Sequence, residues 1–232
     1  MATKQLVVDG IGDVRLYKRK GAKSVRISLD GIGGVRVTLP RWLPYKAGLD
    51  FLETKKDWVA QHQKSPQLLT AGQRVGKTHL LDFTTVDSIK KPNVRLVNNT
   101  ISVKLPRDIS SQSHDAQLAA KRGAVRALKL QADQLLTQRI KTLAQTHGFE
   151  YKSAKTRPMK SRWGSCNQSK EIVLNVYLMQ LPWELIDYVI LHELTHTRVM
   201  AHGRPFWDEM NKYVADVQSL RKQIKNYRAQ IS

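Results

Sequence analysis

The segment from Leu181 to His196 constrains this chain more than any other part of its sequence. It opens with Leu-Pro-Trp-Glu, in which the proline suits the first turn of a helix and Glu184 suits its positive end. Apolar residues then follow at helical spacing, namely Leu185, Ile186, Val189, Ile190 and Leu194. A helix as apolar as this has to be buried, so we expect a folded core around it.

The end of this predicted helix carries His192, Glu193 and His196. Residues four apart lie on the same face of a helix, so both imidazoles can bind one metal ion. Imidazole ligands suit Zn²⁺, and an open coordination position can hold a water molecule. Glu193 is close enough to take a proton from that water as it attacks a carbonyl or phosphoryl centre. We therefore predict a zinc site with Glu193 as the catalytic base.

A third metal ligand is expected soon after the helix. His202 lies six residues beyond His196, just before a Gly-Arg-Pro break at 203–205. A bend at this break can bring His202 back to the histidine pair. Asp208 and Glu209, on the next predicted helix, are alternatives that could replace or support it. The remaining interpretation of the motif is a set of hydrogen-bonded histidines without a metal.

The first hundred residues have the alternating pattern of β-strands. The pattern predicts two hairpins, one of 24–29 with 35–39 around a turn at 30–34, and one of 94–97 with 101–105 around Asn98-Asn99. After Pro44 the spacing becomes that of one helix of about five turns, ending near Gln63. We see no internal repeat of useful length.

The second half of the chain is predicted to be mainly helical. We expect a helix over 113–147, a hairpin of 154–163 with 172–177, and a last helix over 205–228. A polar, serine-rich segment, 108–114, separates the two halves. The sequence therefore predicts an α+β protein with a β-rich domain of residues 1–107, containing one helix, and a second domain of residues 108–232, containing the histidine helix.

The charge of the chain favours polyanionic partners. Its 39 Lys and Arg residues outnumber 19 Asp and Glu residues, which gives a formal net charge of +20. A field of this strength favours non-specific binding to nucleic acid. Cys166, the single cysteine, cannot form an internal disulfide, and no apolar run is long enough for a membrane helix. We expect a cytoplasmic protein without a membrane partner.

The stretch from Lys160 to Trp207 resembles the YgjP-like metallopeptidase family, which is related to the SprT and WLM proteases. The family pattern has W-G-S-C beside the metal, an apolar strand, L-P, an H-E-L-x-H helix, a further histidine six residues later, and F-W. The matching positions here are Trp163, Gly164, Ser165, Cys166, Leu181, Pro182, His192, Glu193, Leu194, His196, His202, Phe206 and Trp207. Metzincins share the histidine spacing, but they have glycine where this chain has Val199, and their Met-turn is absent.

The resemblance implies a zincin-like core and a zinc metallopeptidase that hydrolyses protein or peptide substrates. Together with the charge, it makes nucleic-acid-associated proteins candidate targets. One alternative is a metal-dependent nucleoside triphosphate pyrophosphatase, an activity described for a member of the family. Another is a nucleic-acid-binding zinc protein without catalysis, which Glu193 disfavours because a structural zinc site needs no base.

Two further residues are candidates for substrate or transition-state contacts. Arg162 lies on the basic segment expected to run past the metal, where it could stabilise developing negative charge or be a solvated strand charge. Trp163 could form a wall of the substrate cleft or pack in the core. The sequence does not indicate an oligomeric state.

Overall fold

Strands and helices follow one another in the order typical of an α+β protein, and this predicted class is confirmed. The computed structural model describes residues 3–29, 34–62 and 67–231. The strands are β1 (Thr3–Val8), β2 (Gly12–Arg19), β3 (Arg26–Leu29), β4 (Val35–Pro40), β5 (Arg74–Val75), β6 (His79–Thr85), β7 (Asn93–Val97), β8 (Thr100–Leu105), β9 (Ser153–Arg157), β10 (Gly164–Cys166) and β11 (Glu171–Asn175). The helices are α1 (Tyr45–Glu53), α2 (Lys56–His62), α3 (His114–His147), α4 (Trp183–Thr195), α5 (Arg204–Met210) and α6 (Val217–Ile224), with a 3₁₀ helix at Val176–Gln180.

The first sheet has the strand order β1-β2-β4-β3, in which β2 and β4 are parallel and the other neighbours are antiparallel. Alternate residues of its strands form an apolar face that packs with Leu52 and Val59 of α1 and α2. The predicted hairpin of 24–29 with 35–39 is confirmed as β3 and β4. Residues 30–33 of its predicted turn lie outside the described residues.

The second sheet repeats the architecture of the first. Its order is β5-β6-β8-β7, again with a parallel central pair and antiparallel neighbours. β4 of the first sheet and β8 of the second lead into the same V-x-L-P-R sequence, at 37–41 and 103–107. The sequence has no internal repeat of useful length, but the topology of the sheets is repeated. A sheet needs apolar alternation rather than particular residues, so two sheets of one topology can share few identities.

The hairpin of β7 and β8 is confirmed, but the predicted hairpin of 154–163 with 172–177 is wrong. β9 runs parallel to β11, and the antiparallel partner of β11 is β10, which lies in the predicted turn. The turn itself comes later, where the amide of Lys170 donates to the carbonyl of Asn167 at 2.9 Å. Local alternation cannot distinguish parallel from antiparallel partners, because both need the same apolar face.

Two of the four predicted helices are confirmed and two are broken. The prediction of 113–147 is confirmed as α3, and the predicted histidine helix is confirmed as α4, with Pro182 at its N-cap. The helix expected to end near Gln63 is instead α1 and α2, and Gln63 itself lies outside the described residues. At the break, the hydroxyl of Thr54 donates to the carbonyl of Phe51 at 2.8 Å. Such side-chain bonds to the backbone compete with helix continuation.

The predicted last helix is also two helices, α5 and α6. The carboxylate of Asp216 accepts a hydrogen bond from the amide of Ser219 at 2.9 Å, so it caps a new helix inside the predicted one. An aspartate at this position satisfies one of the free amides of a first helical turn. Apolar spacing continues across the break, which is why the two helices read as one in the sequence.

The chain forms two compact units. One contains residues up to Leu69 together with Ser110–Leu118, and the other contains Thr70–Ile109 and Ala119–Ser232. These units divide the chain at other positions than 107 and 108, so the proposed domain boundary there stays a prediction. No described helix is both long enough and apolar enough to cross a membrane.

Replacing Gly123 of α3 by valine should destabilise the second unit. An added Cβ would lie 2.5 Å from Val94 Cγ2 and 2.6 Å from Ile101 Cγ2, because the helix packs directly on the second sheet there. Overpacking of this kind lowers the free energy of unfolding by about 1–3 kcal/mol. Thermal denaturation followed by circular dichroism measures it. Arg122→Val, at the exposed neighbouring position, is the control. An equal midpoint for both variants would contradict the packing described.

Candidate metal centre

The end of α4 and the turn after it place three histidines around one point. His192 lies in the last turn of α4, and His196 is its C-cap residue. The amide of Val199 donates to the carbonyl of Thr195, and the chain then bends so that the amide of Gly203 donates to the carbonyl of Ala201. This bend returns His202 to the helix end.

The ring nitrogens of the three histidines converge. His202 Nε2 lies 2.9 Å from His192 Nε2 and 3.1 Å from His196 Nε2. His192 is half-buried, His196 is buried and His202 is exposed, so the cluster opens to solvent on one side. The sequence prediction that these three side chains come together is therefore confirmed, and the group can hold a metal ion.

Hydrogen bonding alone does not account for this arrangement. His196 Nδ1 lies 3.2 Å from the carbonyl oxygen of Val199, which can only accept, so Nδ1 carries the proton and Nε2 presents its lone pair. His202 Nε2 has one proton or one lone pair, yet it contacts two nitrogens. A cation would accept a lone pair from all three imidazoles. The donor set therefore fits a metal ion that prefers nitrogen ligands.

The surroundings favour the neutral forms of His192 and His196 and hold the three imidazoles close together. Burial, and after it the charges of His196, His202 and Arg221, lower the pKa of His192 to about 3. A neutral imidazole is the form that binds a metal. The fully buried ring of Phe206 lies beneath the cluster, 4.6–4.8 Å from each of the three imidazole centroids.

Glu193 points into the protein beside this cluster. The residue is 5% exposed, and its Oε2 atom is buried without a hydrogen-bond partner among the described residues. Burial raises the pKa of Glu193 to about 8, while the charge of Arg162 lowers it in part. A poorly solvated carboxylate of this kind has a high affinity for a proton, which suits a base.

Gly164, the first residue of β10, makes room for Glu193. A Cβ atom at Gly164 would lie 2.4 Å from Glu193 Oε1 and 2.7 Å from its Cδ. The backbone of β10 therefore contacts the carboxylate directly. Periodicity in the sequence gave no signal for this contact, although the glycine stands in the W-G-S-C motif.

The segment before β10 is held by Asn175, a fully buried residue at the end of β11. Its side-chain amide donates to the carbonyls of Met159 and Arg162, at 2.8 and 2.7 Å, and its Oδ1 accepts from the amide of Met159 at 3.2 Å. The amide of Asn175 donates to the carbonyl of Trp163 at 2.9 Å. Asn175 thereby fixes the path of 159–163, and the sequence analysis missed it.

Arg162 and Trp163 differ in their exposure and in their surroundings. Arg162 is exposed and its charge acts on Glu193. Trp163 is half-buried and lines a groove of about 270 Å³ together with Arg162 and residues 227–230. Their contacts with a substrate or a transition state stay predictions.

The acidic alternatives for the third ligand have other partners. Glu209 accepts from Arg198 Nη1 at 2.7 Å and from the hydroxyl of Tyr213 at 2.6 Å, and it pairs with Lys212. These bonds hold the pKa of Glu209 at about 2. Asp208 is exposed and lies 3.7 Å from Arg204. Neither carboxylate belongs to the cluster of described residues that can hold a metal.

The chain was compared with family models, solved structures and curated proteins. A family model described as "YgjP-like, metallopeptidase domain" matches residues 23–227. Among solved structures, the chain is similar to the metallopeptidase zymogen jannalysin of Methanocaldococcus jannaschii, at 25% identity, a TM-score of 0.35, and coverage of 38% of this chain and 92% of that one. It is also similar to the metallopeptidase zymogen abylysin of Pyrococcus abyssi, at 20% identity, a TM-score of 0.35, and coverage of 42% and 100%. No curated protein matches.

Replacing His202 by alanine should weaken metal binding strongly. The change removes one of three converging nitrogens but leaves the buried helix intact. Elemental analysis after dialysis should show full metal content in the wild-type protein and a large loss in the variant. Asp208→Ala, in the next helix, is the control and should keep its metal. Full retention by His202→Ala together with loss in Asp208→Ala would exclude His202 as a ligand.

Proposed function

Since this chain belongs to the YgjP-like metallopeptidase family, we propose that it is a zinc-dependent peptidase in which His192, His196 and His202 hold the metal and Glu193 is the general base. The observation that carries the proposal is a buried, unpartnered carboxylate beside three converging imidazole nitrogens. Three protein ligands with one open position are typical of catalytic zinc, whereas structural zinc sites have four. This disfavours a zinc protein without catalysis.

A bound zinc ion supplies a Lewis acid that polarises a carbonyl group and makes nearby water more acidic. The residues of the chain supply the proton transfers. Glu193 Oε2 has no hydrogen-bond partner among the described residues, so it is free to take a proton from the attacking water. The same carboxyl group then donates that proton to the leaving amine. Its burial favours the protonated form that exists between these steps.

The open edge of β10 supports a peptide substrate. β10 is the outermost strand of its sheet, and no other described strand pairs with its free edge. Its first residue, Gly164, contacts Glu193. An extended peptide can hydrogen-bond to such an edge through its backbone, which would carry a scissile bond past the carboxylate. Backbone recognition of this kind suits a peptide, because an extended peptide supplies the matching donors and acceptors along its own backbone.

A cationic groove beside β10 favours a second candidate. Lys155, Arg157 and Arg162 line this groove of about 370 Å³, and one acidic residue, Glu171, also lines it. Such a group of cations can bind phosphates, as nucleoside triphosphate pyrophosphatase activity would require, or acidic side chains of a peptide. The net charge of +20 likewise supports nucleic-acid-associated proteins as targets of the peptidase.

One parallel assay separates these functions. The zinc-loaded protein is incubated with casein, with a DNA-binding protein in the presence and absence of DNA, and with a panel of nucleoside triphosphates. The proposal expects peptide products, and it expects more of them from the DNA-binding protein when DNA is present. Release of pyrophosphate without peptide products would establish the second candidate instead.

Replacing Glu193 by glutamine should abolish most turnover while the metal is kept. Glutamine has nearly the same shape but cannot accept the proton, so kcat/KM on a peptide substrate should fall about 10²–10⁴-fold. Glu184→Gln, at an exposed position in the first turn of α4, is the matched control and should keep its activity. Activity of Glu193→Gln within a few-fold of wild type would remove Glu193 from the mechanism.

Replacing Gly164 by alanine should lower activity through the same carboxylate. The new methyl group would lie 2.4 Å from Glu193 Oε1, so the side chain has to move, and the three atoms nearest to the methyl group all belong to Glu193 rather than to a histidine. We expect kcat to fall by about tenfold or more, since small displacements of a reacting group are costly, and metal content to be unchanged. Ser169→Ala, in the exposed turn after β10, should behave as wild type. Loss of metal in Gly164→Ala would contradict this account.

A further inference from the structure

One end of the first sheet carries a concentrated positive charge. Arg19, Lys20, Lys23 and Arg26 line a groove of about 580 Å³ around the connection between β2 and β3, and no acidic residue lines it. All four residues are exposed, and none of them forms an ion pair with any described residue. Four unpaired cations repel one another, so this arrangement costs free energy unless a polyanion binds.

The strand register brings an exposed tryptophan to the same end. Arg19 of β2 is opposite Pro40 of β4, and Arg26 of β3 is opposite Thr38, so Arg41 and Trp42 leave the sheet beside the groove. The tryptophan is 70% exposed. A large aromatic ring beside several cations is the combination that binds single-stranded nucleic acid, because bases stack on the ring while phosphates meet the cations.

The second sheet shows that the fold does not require these charges. In its equivalent register, Asp87 stands where the first sheet has Lys20, and Asp108 stands where the first sheet has Trp42. Arg107, the counterpart of Arg41, forms an ion pair with Asp87. The same architecture therefore forms with two acidic residues at this end, so Lys20 and Trp42 of the first sheet are features of its surface and not requirements of the fold.

We propose that this end of the first sheet is a binding site for single-stranded nucleic acid, with phosphates in the groove and a base stacked on Trp42. The site lies in the first compact unit, whereas the histidine cluster belongs to the second. This proposal rests on the proposed function in one respect, namely that the peptidase acts on nucleic-acid-associated proteins. The binding itself needs neither the metal nor Glu193.

The test measures fluorescence anisotropy of labelled 20-nucleotide DNA and RNA single strands, and of the matching duplex, with the full chain over a range of salt. A groove variant combines Arg19→Gln, Lys20→Gln, Lys23→Gln and Arg26→Gln. A second-sheet variant removes the same number of charges from exposed positions, through Lys90→Gln, Lys91→Gln, Arg95→Gln and Lys104→Gln. Circular dichroism establishes that both variants fold.

The groove variant should bind single strands at least about tenfold more weakly than wild type. The slope of its log affinity against log salt should be smaller in magnitude by about 3, because each of the four lost phosphate contacts contributes about 0.7 to that slope. The second-sheet variant should stay within about threefold of wild type. Trp42→Ala should weaken binding to single strands about fivefold or more, with a smaller effect on the duplex. The DNA and RNA arms show which of the two strands is preferred.

Three results would overturn the proposal. One is an equal loss in the groove and second-sheet variants, which would make total charge the cause. Another is no binding of any strand at tens of micromolar protein at low salt. The third is groove-dependent binding to phosphatidylserine vesicles without binding to nucleic acid. Peptidase activity of the groove variant on a short peptide is measured alongside. The groove variant should keep this activity. In the wild-type protein, activity without strand binding contradicts this proposal alone, and strand binding without any peptidase activity contradicts the proposed function alone.

Discussion

The buried carboxylate of Glu193 sets the requirements for the structure around it. A carboxylate that is 5% exposed, with one oxygen unpaired, is costly, so its neighbours must hold it in place. β10 approaches it closely because Gly164 has no side chain, and the charge of Arg162 offsets part of the cost. The hydrogen bonds of Asn175 hold residues 159–163, the segment that contains Arg162 and leads to Gly164. The edge strand, the loop before it and α4 thus form one support for the base.

The histidine cluster depends in turn on how the chain is tied after α4. Arg198 pairs with Glu209 of α5 and donates to the carbonyl of Gly148 at 2.6 Å, just beyond α3. Its guanidinium also lies 4.1 Å from the ring centre of Phe149. His202 stands between Arg198 and Glu209 in the chain, so this ion pair closes the loop that carries it. Glu209 is engaged in that ion pair, and the cluster of described residues that can hold a metal consists of imidazole nitrogens only.

The two sheets of one topology show that the exposed face of a strand can change while its buried apolar face is kept. Both sheets have the same order, and in both a central parallel pair has buried alternate residues such as Leu16 and Val37 in the first sheet and Leu81 and Val103 in the second. Their exposed ends differ, because Asp87 and Asp108 of the second sheet stand where the first sheet has Lys20 and Trp42. Burial constrains one face of each strand, whereas the other face can change without loss of the fold. A new binding surface can therefore arise on one sheet and be absent from the other.

Local periodicity in the sequence determined those structural features that depend on residues close together in the chain. It predicted α3, α4, two hairpins and the shared face of His192 and His196, because a helix or a hairpin positions residues a few places apart. Only the tertiary structure decided the parallel pairing of β11 with β9, the breaks within two predicted helices and the repeat of the sheets. It also decided the contact of Gly164 with Glu193, which joins residues 29 positions apart. Such choices depend on which distant segments are buried together, and alternation or spacing along the chain does not record them.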